Sequence, residues 1–212
     1  MSTLRTRIKI CGVRSAEIAR AAIDAGADAV GFVFVRASPR AIEPERAAEI
    51  MARLPPFAAT VGVFVNISVD TFCDVEEACP TNYSQLQGSE DEKTVRACGP
   101  GVIRAVRYDA ATIDAELARW DAVAEVDAIL VDGSAGGAGE AFDWSALTPR
   151  LAAVRKPVFL AGGLTPRNVG DAIRAVRPYA VDVSSGVEQE RGVKDPAMIG
   201  AFCRAVREAD RG

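Results

Sequence analysis

Histidine is absent from all 212 residues, so the commonest general base and the commonest metal ligand are both missing. Proton transfer in this chain must fall to Asp, Glu, Cys, Lys or Tyr. Cysteine is sparse: Cys11, Cys73, Cys79, Cys98 and Cys203 are odd in number and lack paired CxxC spacing. That pattern points away from a disulfide framework or a zinc site and toward a reducing cytoplasm. Positive charge is also short, with 25 Lys and Arg against 29 Asp and Glu for a net charge of -4. Phosphate-backbone binding needs clustered cations, so nucleic acid is not an expected partner. No apolar run reaches the roughly 20 residues of a membrane span. The apolar stretch after Met1–Arg7 is too short for a signal-peptide core, so no membrane partner is expected.

What the chain does have is alternation. Short β-branched runs and Ala-rich helical stretches follow one another from end to end, as in repeated βα units around a parallel sheet. Strands are expected at Arg7–Cys11, Ala29–Phe34, Thr60–Val65, Tyr83–Leu86, Val102–Val106, Ala128–Val131, Val158–Ala161 and Ala180–Ser184. Helices are expected at Ser15–Ala25, Pro44–Leu54, Val69–Ala78, Asp91–Ala97, Thr112–Trp120, Trp144–Val154, Pro166–Val176 and Pro196–Glu208. Ser15, Ser68 and Thr165 read as N-caps, Pro44, Pro166 and Pro196 as first-turn prolines, and Gly26 and Gly99 as helix stops. No linker or low-complexity segment divides the chain, so residues 1–212 are read as a single domain.

Eight βα units can close into a (β/α)8 (TIM) barrel or form an open doubly wound sheet. An open nucleotide-binding sheet calls for GxGxxG after its first strand, but here that strand ends Cys11-Gly12-Val13-Arg14. The glycine-rich elements instead follow strands six, seven and eight, and the loops after strands seven and eight are the usual phosphate site of a barrel. A TIM barrel is therefore the expected fold.

Barrel chemistry sits at the C-terminal strand ends. Lys9 and Cys11, two residues apart, share a face, and a neighbouring ammonium is expected to lower the thiol's pKa. Cys11 is either a reactive group or a small buried hydrophobe. Asp132 follows three apolar residues at the end of strand six, where it is either a functional carboxylate or a loop-fixing one. Gly162 and Gly163 after strand seven, with Ser184, Ser185 and Gly186 after strand eight, leave backbone N–H groups for a phosphate. Asp182 is expected to face the mouth and meet sugar hydroxyls. Arg36 and Arg40, in a loop stiffened by Pro39, suit a carboxylate or phosphate, or are simply solvated.

Together these segments resemble the phosphoribosylanthranilate isomerase family of tryptophan biosynthesis along nearly the whole chain. The matching strings are Lys9-Ile10-Cys11-Gly12, Gly31-Phe32-Val33-Phe34 with Ser38-Pro39-Arg40, Val61-Gly62-Val63-Phe64-Val65-Asn66, Phe142-Asp143-Trp144, Leu160-Ala161-Gly162-Gly163-Leu164, and Val181-Asp182-Val183-Ser184-Ser185-Gly186-Val187-Glu188. The resemblance implies a cofactor-free Amadori rearrangement, with Asp132 as general acid and Cys11 as general base. It also implies a small phosphorylated substrate, with Lys9, Arg40, Gln87 and Asp182 as candidate contacts, and a monomer or homodimer. Where the family usually reads Gln-Leu-His-Gly, this chain reads Gln85-Leu86-Gln87-Gly88, and its sixth loop is shorter and carries Glu140 after Gly136-Gly137-Ala138-Gly139. Those departures leave two alternatives: an isomerase of another phosphorylated aminoaldose, or a sugar-phosphate binding protein without turnover.

Overall fold

The computed structural model describes residues 5–133 and 144–211. Its centre is a closed barrel of eight parallel strands in chain order. The first half runs β1 (Arg7–Cys11), α1 (Ala16–Ala25), β2 (Ala29–Val33), α2 (Pro44–Met51), β3 (Ala59–Phe64), α3 (Val69–Ala78), β4 (Tyr83–Leu86) and α4 (Glu92–Ala97). The second runs β5 (Val102–Arg107), α5 (Ile113–Asp121), β6 (Val126–Asp132), β7 (Val158–Ala161), α6 (Val169–Val176), β8 (Ala180–Val183), β9 (Glu188–Glu190), β10 (Val193–Lys194) and α7 (Pro196–Ala209). Pairing of β1 with both β2 and β8 closes the ring.

The period-2 alternation of each strand separates two apolar layers. Val61, Ile103, Ala105, Ala128, Leu130 and Ala161 fill the barrel centre. The opposite strand faces, such as Ile8 and Ile10 of β1, pack against the ring of helices. Each fully buried Val, Leu or Ile among them stabilises the fold by about 1.5–3 kcal/mol. The helix ends follow local chemistry: Ser15 and Ser68 accept N–H groups from Ile18 and Thr71, and Gly26 closes α1 in the left-handed conformation at φ 99°.

Two expected features differ and one is new. In place of one helix over Trp144–Val154 there are two short 3-10 segments, Trp144–Ala146 and Thr148–Ala153, because Pro149 lacks the N–H that a continuous α-helix would direct at Ser145. Helix α6 begins at Val169 rather than Pro166. Asn168 takes the Thr165 N–H at 2.7 Å and donates to the Gly163 carbonyl at 2.9 Å, which holds residues 165–168 as a turn. The β9–β10 hairpin was not anticipated, since strands of three and two residues leave no periodic signal.

Candidate active site

The C-terminal ends of the strands surround a cavity of about 440 Å³, within the range of small-molecule sites. Cys11 (β1), Gln85 and Gln87 (β4 and its loop), Asp132 (β6), Gly162 and Gly163 (after β7), Asp182 (β8) and Ser184 and Ser185 all line it. In the closed ring β7 and β8 lie between β6 and β1. The glycine and serine loops therefore sit between Asp132 on one side and Cys11 on the other.

Lys9 points inward with Cys11, as expected from the alternation, but lies one layer below the cavity lining and is 2% exposed. Its ammonium donates to Asp182 Oδ2 and Gln85 Oε1, both at 2.9 Å. Burial opposes its charge, yet the Asp182 carboxylate and Cys11 hold Lys9 above the ordinary lysine value. It supports Asp182 and Gln85 from beneath the cavity lining. The second carboxylate oxygen, Asp182 Oδ1, is buried without a hydrogen-bond partner, an acceptor in need of a donor.

The expected depression of the Cys11 pKa does not occur. Burial pushes the thiol up, and the nearby Lys9 and Lys194 ammonium groups, which pull it down, do not overcome that. The effect missed at the sequence level is desolvation: Cys11 is only 8% exposed.

Of the two arginines after β2, only Arg40 reaches the cavity; Arg36 stands in solvent. Arg40 crosses the Gly12 position so closely that a Cβ there would lie 2.6 Å from Arg40 Cδ. Its Nε and Nη2 donate to Glu188 at 2.7 and 2.8 Å. Glu188 also accepts from Lys194 Nζ at 2.6 Å and the Gly192 N–H at 3.1 Å. Although burial works against it, these donors pull its carboxyl down to about 2. Lys194 donates in addition to the Ser184 carbonyl at 3.0 Å, so the hairpin ties Arg40 to the serine loop.

Gly162 and Gly163 have φ of 91° and 66°. Gly186 is outside the cavity lining; a Cβ there would fall 1.8 Å from the Leu164 carbonyl oxygen. Its absence of a side chain lets the β8 turn pack against the β7 loop. Gly136, Gly137, Ala138, Gly139, Glu140, Phe142 and Asp143 lie outside the described residues.

Sequence reasoning assigned no role to Gln85, Glu188, Lys194 or Arg107. Gln85 was findable, since it is polar, two residues before Gln87 and therefore on the same inward face. Glu188 stood inside a matched string. Arg107, in register with Asp132, and Lys194 carried no distinguishing signal. Among the described residues no group of three His, Cys, Asp or Glu side chains is placed to hold a metal ion, and no helix is long and apolar enough to cross a membrane.

A family model described as N-(5'-phosphoribosyl)anthranilate (PRA) isomerase matches residues 8–205. An N-(5'-phosphoribosyl)anthranilate isomerase of Moorella thermoacetica is 50% identical over 208 residues, covering 96% of this chain and 91% of the relative. A solved phosphoribosyl anthranilate isomerase in complex with reduced 1-(o-carboxyphenylamino)-1-deoxyribulose 5-phosphate is 40% identical, with a TM-score of 0.85 and coverage of 96% and 99%. A monomeric form of the dimeric Thermotoga maritima enzyme is 38% identical, with a TM-score of 0.83 and coverage of 95% and 98%.

Proposed function

The chain belongs to the N-(5'-phosphoribosyl)anthranilate isomerase family, and from that premise we propose how its cavity isomerises phosphoribosylanthranilate to 1-(2-carboxyphenylamino)-1-deoxyribulose 5-phosphate. The substrate phosphate rests on the backbone of Gly162, Gly163, Ser184 and Ser185. Asp132, on one side of that seat, protonates the furanose ring oxygen, and the ring opens to a Schiff base. Cys11, on the other side, removes the C2 proton through the small thiolate fraction that its raised pKa leaves, giving an enolamine that tautomerises to the ketone. C2 is oxidised from alcohol to ketone while C1, protonated as the enolamine tautomerises, is reduced from imine to aminomethyl, so the two-electron change balances within the substrate and no external reductant or oxidant is needed. Each positioned acid or base typically contributes about 10²–10⁴-fold.

Arg40, with two of its donors held by Glu188, presents its remaining edge to the anthranilate carboxylate. Asp182 Oδ1 accepts from a sugar hydroxyl, which supplies the donor it lacks. The observation that carries this reading is the common lining of one cavity by Cys11, Asp132 and the loops between them. Its test is turnover of freshly made phosphoribosylanthranilate, followed as loss of its fluorescence. Tight binding of the reduced product analogue without turnover would make the chain a binding protein instead.

Free thiols at all five cysteines favour a reducing cytoplasm. The homodimer is favoured over the monomer by the dimeric Thermotoga maritima relative and by Phe57, which is fully exposed at φ 70° between α2 and β3. Sedimentation of Phe57→Ser checks this: a monomer is expected, and an unchanged dimer would remove Phe57 from the interface.

A further inference from the structure

Lys9, Gln85, Gln87 and Asp132 form a single hydrogen-bonded chain from beneath the cavity to the acid. Lys9 Nζ donates to Gln85 Oε1 at 2.9 Å, Gln85 Nε2 to Gln87 Oε1 at 2.8 Å, and Gln87 Nε2 to Asp132 Oδ2 at 3.4 Å. The direction of this chain follows from chemistry. An ammonium can only donate, so Gln85 must turn its oxygen to Lys9 and its NH2 toward Gln87; Gln87 must then offer its oxygen, which leaves its own NH2 for Asp132.

The backbone around Gln87 is fixed separately. Arg104 donates to the carbonyls of Leu86 and Gly88, on either side of it, at 3.0 and 2.8 Å, and the Gln87 N–H bonds the Phe64 carbonyl at 2.9 Å. What remains free in principle is a half-turn of the side-chain amide. That turn would set an amide oxygen against the Asp132 carboxylate.

We propose that Gln85 is a positioning residue for Asp132: acting through Gln87, and directed by Lys9, it fixes which end of the Gln87 amide meets the acid. The inference rests on Asp132 being the acid, as proposed above. It defines what position 87 requires, an acceptor toward Gln85 and a donor toward Asp132. A neutral imidazole meets that requirement in one tautomer and an amide in one rotamer, which accounts for glutamine at a position where the resembling family usually has histidine.

The test is Gln85→Met, which keeps the volume and removes both ends of the relay. The variant is expected to melt cooperatively and to lower kcat roughly ten- to a hundredfold, the scale of a misplaced catalytic group, with KM within about twofold. In 15N-labelled protein the Gln87 side-chain NH2 resonances should shift, because that amide is no longer held from the Gln85 side. Native kcat in Gln85→Met overturns the proposal, as does a loss carried by KM alone. Should that variant not fold, the isosteric Gln85→Glu replaces it: its carboxylate can only accept from Gln87, reversing that amide, and native kcat in Gln85→Glu is then the contrary result. Asp132→Asn serves as control. If it turns over at the native rate, the assignment of the acid has failed; if it is inactive while Gln85→Met is native, only the relay has.

Discussion

Arg40 and Glu188 face each other through two parallel hydrogen bonds, Nε to Oε1 at 2.7 Å and Nη2 to Oε2 at 2.8 Å. A guanidinium held in this bidentate way is aimed before any ligand arrives. Arg40→Met is therefore expected to raise KM and weaken the reduced product analogue, with little change in kcat, since both proton-transfer groups remain. Unchanged affinity for the analogue in a titration would take Arg40 out of the anthranilate site.

The same carboxylate makes a statement about acid stability. Its folded value of about 2 lies below the ordinary 4.5, so its contribution is complete above the unfolded value and is lost as pH falls from about 4.5 to about 2. The shift corresponds to roughly 3 kcal/mol, at about 1.4 kcal/mol per pH unit. Urea unfolding should find Glu188→Gln less stable than the native protein at neutral pH, with the gap shrinking through that acid window. A gap independent of pH would contradict the linkage.

The barrel was legible because its βα alternation and its caps are local signals. Gly162-Gly163 and Ser184-Ser185 were readable because turn chemistry identifies loop backbone. The state of Cys11 was not, since desolvation depends on how the closed barrel buries a strand end. The place of Lys9 was missed for a similar reason: strand alternation gives the face but not the depth. The Glu188–Lys194 support escaped because its hairpin is too short to show a period. Pro149, which breaks the helix expected over Trp144–Val154, is a local signal present in the sequence.

Burial raises the Cys11 thiol against the pull of Lys9 and Lys194. The ultraviolet thiolate absorbance, taken as the difference between the native protein and Cys11→Ala, is expected to appear only above the free-thiol value of about 8.5. Lys9→Met should move it higher still, because a cation favouring the thiolate is gone. A thiolate already formed at neutral pH would contradict the dominance of desolvation.

With no histidine in the chain, the native pH–rate profile should contain no imidazole limb. Gln87→His is expected to turn over at neutral pH and to acquire an acid limb near the imidazole range of about 6.5, where a doubly protonated ring no longer accepts from Gln85. An inactive Gln87→His, or a profile without the new limb, would contradict the donor–acceptor requirement at this position.

Cys11→Ala and Asp132→Asn, assayed side by side for fluorescence loss of phosphoribosylanthranilate and for binding of the reduced product analogue, test the acid–base assignment most directly. Both should bind the analogue within a few-fold of the native protein and lose turnover by orders of magnitude, since each removes one proton transfer and leaves the phosphate seat intact. Native-like turnover in either variant would contradict the account.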